Sequence, residues 1–271
     1  MKLNSLPAFA LLALSVTCPM QAKLVSKAVP YEHAGVQLEG YLAYDDARTA
    51  AGKLPGVLVV PEWWGLNDYA RHRADQLAAL GYVAFAVDMY GKGVVTTDAK
   101  KATELSRPFY GSPLMAARGQ AGLDQLLACG LADPAKIAAI GYCFGGSTVQ
   151  ALAYTGAPLV GIVSFHGGLI PVPKDAAEKN HAKILVYQGE ADPLIPRSDR
   201  TTWKDAMDAG KFNYEFVTFA FAVHAFTNPD ADRMAELNGL QGKMGYNAQA
   251  DHRSWAGMQS FLTEIFGLPG S

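Results

Sequence analysis

Short apolar runs alternate with amphipathic stretches along almost the whole chain, and this rhythm constrains the fold more than any other feature. Residues 56–60, 82–87, 136–140, 159–165, 184–187 and 214–219 are dominated by Val, Ile, Ala, Phe and Tyr, while residues 36–44 alternate. Continuous apolar runs of this length fit parallel strands covered by helices on both faces; an alternating run fits an edge strand with one wet face. Helical patterns lie between them at about 69–80, 114–128, 144–154, 198–209 and 251–266. Asn67-Asp68 and Ser198 are the expected caps at two helix starts, and Gly81 and Gly130 the expected stops. The β-α-β order requires right-handed crossovers, so the expectation is an α/β fold with a mostly parallel, doubly wound sheet. No repeat, low-complexity tract or linker interrupts it, and residues 23–271 are read as one domain.

Residues 1–22 read differently. Lys2 is their only charge, residues 8–16 are apolar, Pro7 and Pro19 bracket that run, and Ala22 is a small residue suited to cleavage. The segment is shorter than the roughly 20 apolar residues a membrane span needs, so it is expected to be a cleaved export signal. Cys18 follows Ser15-Val16-Thr17, a poor match to the small-residue box of a lipoprotein signal, so lipidation is not expected. Cleavage after Ala22 would leave 249 of the 271 residues and two cysteines in a periplasmic or secreted, oxidising setting. No later segment is expected to insert in a membrane.

Composition removes other classes. Hydrophobic residues make up 50% and charged residues 18%, which suits a packed core, and the formal net charge of −2 offers no footprint for nucleic acid. Three cysteines without a C-x-x-C pair make neither a disulfide scaffold nor a zinc site. His33, His72, His181 and His252 lack metal-ligand spacing, and there is no P-loop or G-x-G-x-x-G, so no metal or cofactor is expected.

Ligands of such sheets bind beyond the carboxyl ends of the strands. Glu62, Asp88, Cys143, His166 and Asp192 each follow an apolar run, and His224 lies beyond the last. Cys143 sits in Gly141-Tyr142-Cys143-Phe144-Gly145-Gly146, between a strand and a helix. This G-x-C-x-G pattern is a cysteine version of the nucleophile elbow, whose small neighbours permit a strained central residue. The helix start places free amides near the sulfur, and the Phe144 amide is a natural oxyanion donor. Two structural roles compete: a small buried hydrophobe, or a Cys129–Cys143 disulfide.

A nucleophile needs a base held by a third group. Asp192, in Gly189-Glu190-Ala191-Asp192-Pro193, is the candidate acid, with Glu190 as competitor, and His224 is the candidate base. A turn residue before Pro193 and a surface histidine are the plainer readings of these two positions. The order nucleophile, acid, histidine favours the catalytic one. His166-Gly167-Gly168 falls after the nucleophile and is read as structural.

The chain resembles the dienelactone hydrolase family, of α/β-hydrolase fold, from about residue 31 to 268. The likeness rests on Pro61-Glu62-Trp63-Trp64-Gly65-Leu66-Asn67, Asp88-Met89-Tyr90-Gly91, the elbow, residues 189–193 and His224-Ala225-Phe226-Thr227-Asn228-Pro229. It implies a Cys143–His224–Asp192 triad, a Glu62 that helps deprotonate the thiol, and a second oxyanion donor at the Trp63 amide. It also implies a small ester, lactone or thioester as substrate, cleaved through an acyl-enzyme. The family holds its substrate carboxylate with two arginines, whereas this chain has Lys92 and Asn228 at those positions. With Trp63, Trp64, Phe144 and Phe226 nearby, Trp64, Lys92, Phe226 and Asn228 are expected to shape a more aromatic pocket. Two other classes stay open: a non-catalytic exported binder of a hydrophobic carbonyl compound, and a thiol redox protein, the latter weakened by the lack of a nearby resolving cysteine.

Overall fold

The computed structural model describes residues 23–268, so the expected export signal at residues 1–22 lies outside the described residues. The strands are β1 (Leu24–His33), β2 (Val36–Asp45), β3 (Leu54–Val60), β4 (Val83–Ala86), β5 (Ala132–Tyr142), β6 (Gly161–Phe165), β7 (Lys183–Gly189) and β8 (Tyr214–Phe219). The helices are α1 (Asp46–Thr49), α2 (Asp68–Ala79), α3 (Ala99–Ser106), α4 (Leu114–Ala128), α5 (Phe144–Tyr154), α6 (Ala176–Lys179), α7 (Arg197–Ala209), α8 (Ala231–Asn238) and α9 (Ala248–Ile265). Among the described residues the strands form one sheet in the order β1-β2-β4-β3-β5-β6-β7-β8. β1 and β2 are antiparallel to their neighbours, and every pair from β4 onward is parallel.

The apolar runs explain the layers. Side chains alternate across a strand, so each run feeds two cores. Leu58, Val60, Phe85, Ile137 and Ala139 pack on one face with Leu123 of α4, Val149 and Leu152 of α5 and Trp203 of α7. Val57, Val59, Ala84, Ala138 and Ile140 pack on the other with Leu77 of α2 and Phe261 and Leu262 of α9. Leu58 and Ile140 are wholly buried, and such a side chain contributes roughly 1.5–3 kcal/mol. A third, smaller core of Trp64, Ala102, Ala225, Met234 and Met244 sits apart from both and ties α3 and α8 to the loops that follow β3 and β8.

Several details differ from expectation. β1 is an additional strand that pairs with β2 along its whole length; it is mostly exposed and carries Pro30, so no apolar run announces it. Ala34 (φ 52°) and Gly35 (φ 75°) form the two-residue hairpin between them, both left-handed as the strand twist favours. β5 starts at Ala132, ahead of the apolar run, because residues 134–136 bulge where Asp133 lies opposite Pro55 and Ile137 opposite Gly56. α7 is not capped by Ser198: it begins one residue earlier, after Pro196, with no side-chain cap. The Asn67 side chain does cap α2, accepting from the Ala70 amide at 3.3 Å. That helix closes at Gly81 (φ 97°), with the Gly81 and Tyr82 amides bonded to the Ala78 and Leu77 carbonyls. α3 and α8 are short amphipathic helices of eight residues each, and their apolar faces meet in that third core.

Candidate active site

The end of β5 runs directly into α5 through Cys143, whose φ of 53° and ψ of −114° are strained for a residue with a side chain. Surrounding contacts hold it there. A Cβ on Gly141 would run into the Gly145 carbonyl, and one on Gly145 into the Val60 carbonyl at the end of β3. The Cys143 amide donates to the Phe165 carbonyl at 3.0 Å, and its own carbonyl accepts from Gly146 at 2.9 Å. The amides of Phe144 and Trp63 have no main-chain acceptor among the described residues, which leaves both donors free. Cys143 is half-buried and, like Cys129, is a free thiol; the Cys129–Cys143 bridge is not formed. Cys129 instead directs its sulfur at the Leu126 carbonyl, 2.9 Å away at the end of α4.

Asp192 and His224 come together as expected. Nδ1 of His224 is 2.8 Å from Oδ2 of Asp192, and Oδ1 of Asp192 accepts from the Leu194 amide at 2.8 Å. Both residues are buried. The competing Glu190 turns away and pairs with Arg200 at 2.8 Å. Burial by itself would lower the pKa of His224. The charge of the Cys143 sulfur and the Asp192 hydrogen bond outweigh it and hold the imidazole well above its usual value. A protonated imidazole is the state this environment favours.

Glu62 lies just past β3 and is 2% exposed. Its Oε2 accepts from Nδ2 of Asn228 at 2.7 Å, while Oε1 has no partner among the described residues. Burial pushes its carboxyl up to about 7, against the lowering effects of the Asn228 bond and of the His224 and Arg73 charges. Next to Asn228, Thr227 gathers the loop that carries His224. Its hydroxyl lies 2.7 Å from both the Tyr69 hydroxyl and Nε2 of His166, and its carbonyl accepts from Arg73 at 2.8 Å. Arg73 in turn forms a buried ion pair with Asp251 of α9. His166 is fully buried beneath His224, with ring centroids 5.3 Å apart, and burial drives its pKa far down, so it packs as a neutral ring.

Above the sulfur lies a cleft of about 440 Å³, with Cys143 and His224 in its lining. Trp63, Tyr110, Leu194, Ile195, Leu240 and Met244 give it apolar walls, and Arg107 and Lys243 are the charged residues besides His224 that line it. The four residues expected to shape this pocket are all elsewhere. Trp64 is 1% exposed and packed in the small core between α3 and α8. Lys92 points to solvent, with Nζ 2.7 Å from Glu39 of β2. Phe226 is fully buried against His166 and Phe219. Asn228 is spent on Glu62. Adjacency to a motif misled in each case: neighbouring side chains leave the backbone in different directions, so Trp63 enters the cleft while Trp64 leaves it. The walls come instead from the segment around α3, from the Asp192 loop and from residues 240–244. The signal that could have marked α3, missed in the sequence, is its Asp98 cap, which accepts from the Lys100 amide at 2.7 Å. Among the described residues no cluster of three or more His, Cys, Asp and Glu is arranged to hold a metal ion, and no helix is long and apolar enough to cross a membrane.

Several known proteins are similar to this chain. A solved dienelactone hydrolase-like promiscuous phosphotriesterase from metagenomic libraries is 37% identical, with a TM-score of 0.84 over 90% of this chain and 99% of its own. A putative carboxymethylenebutenolidase from Synechocystis is 25% identical over 264 residues, 91% of this chain and 100% of that protein. A probable 2-oxo-3-(5-oxofuran-2-ylidene)propanoate lactonase from Bradyrhizobium is 27% identical over 73% of this chain and 84% of its own. Residues 38–266 match the dienelactone hydrolase family. The chain belongs to that family, as a dienelactone hydrolase-like hydrolase on an α/β-hydrolase sheet.

Proposed function

We propose that the protein hydrolyses esters or lactones with apolar acyl groups through a Cys143–His224–Asp192 triad and an acyl-enzyme. The observation that carries this reading is the His224–Asp192 pair, joined through Nδ1 at 2.8 Å, beside a strained cysteine that lines an apolar cleft. Asp192 fixes the ring so that Nε2 is left for the thiol proton. Glu62, with its carboxyl near 7, is a second acceptor for that proton when substrate arrives. The thiolate attacks the carbonyl carbon, a C–S bond forms, and the π pair moves onto oxygen, where the Phe144 and Trp63 amides receive it. Collapse of this adduct expels the alcohol, which takes its proton from His224. Water deprotonated by His224 then attacks the thioester, releases the acid and restores the sulfur.

The test is turnover of a panel of 4-nitrophenyl esters, small lactones and one phosphotriester by the wild type and Cys143→Ala. The panel includes the phosphotriester because a 37% identical relative is named for that activity. Ester hydrolysis that vanishes with the sulfur supports the reading; an alanine variant as active as the wild type ends it. Iodoacetamide labelling separates the enzyme from a mere binder, since a blocked or inert Cys143 would favour the latter. Residues 1–22 are proposed as the export signal on their single charge, apolar run and Ala22. N-terminal sequencing of exported protein should begin at Lys23, and a retained Met1 would contradict the assignment.

A further inference from the structure

We infer that Tyr90 is a positioning residue that braces both donors of the oxyanion hole, held for that purpose by the Asp88–Gly91 turn. The inference rests on the acyl-transfer reading above and gives a role to the Asp88-Met89-Tyr90-Gly91 motif, which the triad leaves unused.

The two proposed donors belong to loops far apart in sequence, after β3 and after β5. Tyr90 touches both. Its hydroxyl donates to the Trp63 carbonyl at 3.1 Å, and its ring stacks on that of Phe144 with centroids 5.8 Å apart and planes 29° from parallel. Phe109 packs edge-on against Phe144 at 5.4 Å and lies 5.8 Å from the Tyr90 ring, so the three rings form one cluster. Oxyanion stabilisation depends on donors fixed before charge develops, so a group that fixes two residues at once acts on the barrier.

The turn that carries Tyr90 is itself anchored. Asp88 is 2% exposed; its Oδ1 accepts from the Tyr90 and Gly91 amides at 3.0 and 2.9 Å, and its Oδ2 from the Glu39 amide at 3.0 Å. Tyr31 donates to the Asp88 carbonyl at 3.1 Å, and Arg118 to the Met89 carbonyl at 2.9 Å. The Tyr90 phenol is pushed far above its usual range, first by burial and then by the charge of Cys143 beside it. It therefore stays a protonated donor throughout the working pH range.

Tyr90→Phe removes the hydroxyl and keeps the stacking ring. Three measurements on the full chain decide the matter. With a 4-nitrophenyl ester, kcat should fall about tenfold with KM within about twofold, a smaller loss than the roughly 100- to 1000-fold of deleting a donor outright. Inhibition by an aryl trifluoromethyl ketone should weaken in the same proportion as kcat/KM, because sulfur attack on that ketone also places a negative oxygen in the hole. Alkylation of Cys143 by iodoacetamide should be unchanged, since displacement of iodide develops no oxyanion. Unchanged kcat and ketone affinity, or alkylation that slows as much as turnover, would overturn the role of Tyr90 while leaving the triad standing. A wild type that is alkylated but never inhibited by the ketone would instead overturn the acyl-transfer reading, and this inference with it.

Discussion

Replacing Glu62 with Gln should make the protein more stable and less active, and the size of the first effect follows from burial. The carboxyl is raised from 4.5 to about 7, mainly by desolvation. The folded protein therefore holds this proton more tightly than the unfolded chain does. The stability that this provides is fully present below pH 4.5 and is lost as pH rises to about 7. Keeping Glu62 ionised in the folded state costs roughly 3 kcal/mol at pH 8. Glutamine retains an acceptor for Asn228 and never ionises, so it escapes that cost. Urea unfolding of both proteins at pH 4.5 and pH 8 measures it. The stability gain from Glu62→Gln should be larger at pH 8 than at pH 4.5 by about 2–3 kcal/mol. Ester turnover should fall by about 10- to 100-fold, in keeping with loss of a proton acceptor. A gain that does not change with pH, or a variant less stable at pH 8, would refute the claim that a buried, destabilising charge is kept here for chemistry.

Other outcomes follow from the same geometry. Asp192→Asn keeps the shape but no longer fixes the Nδ1 proton of His224, and kcat should drop about 1000-fold with little change in KM. Gly145→Ala drives a methyl into the Val60 carbonyl and should cost roughly 1–3 kcal/mol by urea unfolding, with activity falling further because the elbow shifts against Glu62. In NMR titrations the His166 ring should stay neutral from pH 5 to 8, and Cys143→Ala should lower the pKa of His224 by removing the sulfur charge that raises it.

What could be read beforehand divides along the physics of burial. The central strands β3 to β7 are covered on both faces, so their sequences are continuous apolar runs and stand out. β1 is wet on most of its length, and its pairing is set by a ten-residue register with β2 that no local pattern shows. The elbow was legible because strain at Cys143 demands glycine at fixed offsets. Asp192 and His224 were legible because the sheet order places them after successive strands. The cleft walls were not. Tyr110, Leu240 and Met244 reach the sulfur from segments more than 30 residues away from it, brought there by packing. Lys92 failed for a similar reason, since its partner Glu39 lies on a strand 53 residues earlier.

The central claim is that Cys143 takes the acyl group. Brief exposure to a 4-nitrophenyl ester at pH 4–5, where deacylation slows, followed by peptide mass analysis, tests it directly. The account predicts one acyl group, on the peptide containing Cys143, that forms with the release of nitrophenol and disappears when the sample is returned to neutral pH. Turnover with no acyl group on that peptide, or an acyl group found on Cys129 or a serine instead, would contradict it.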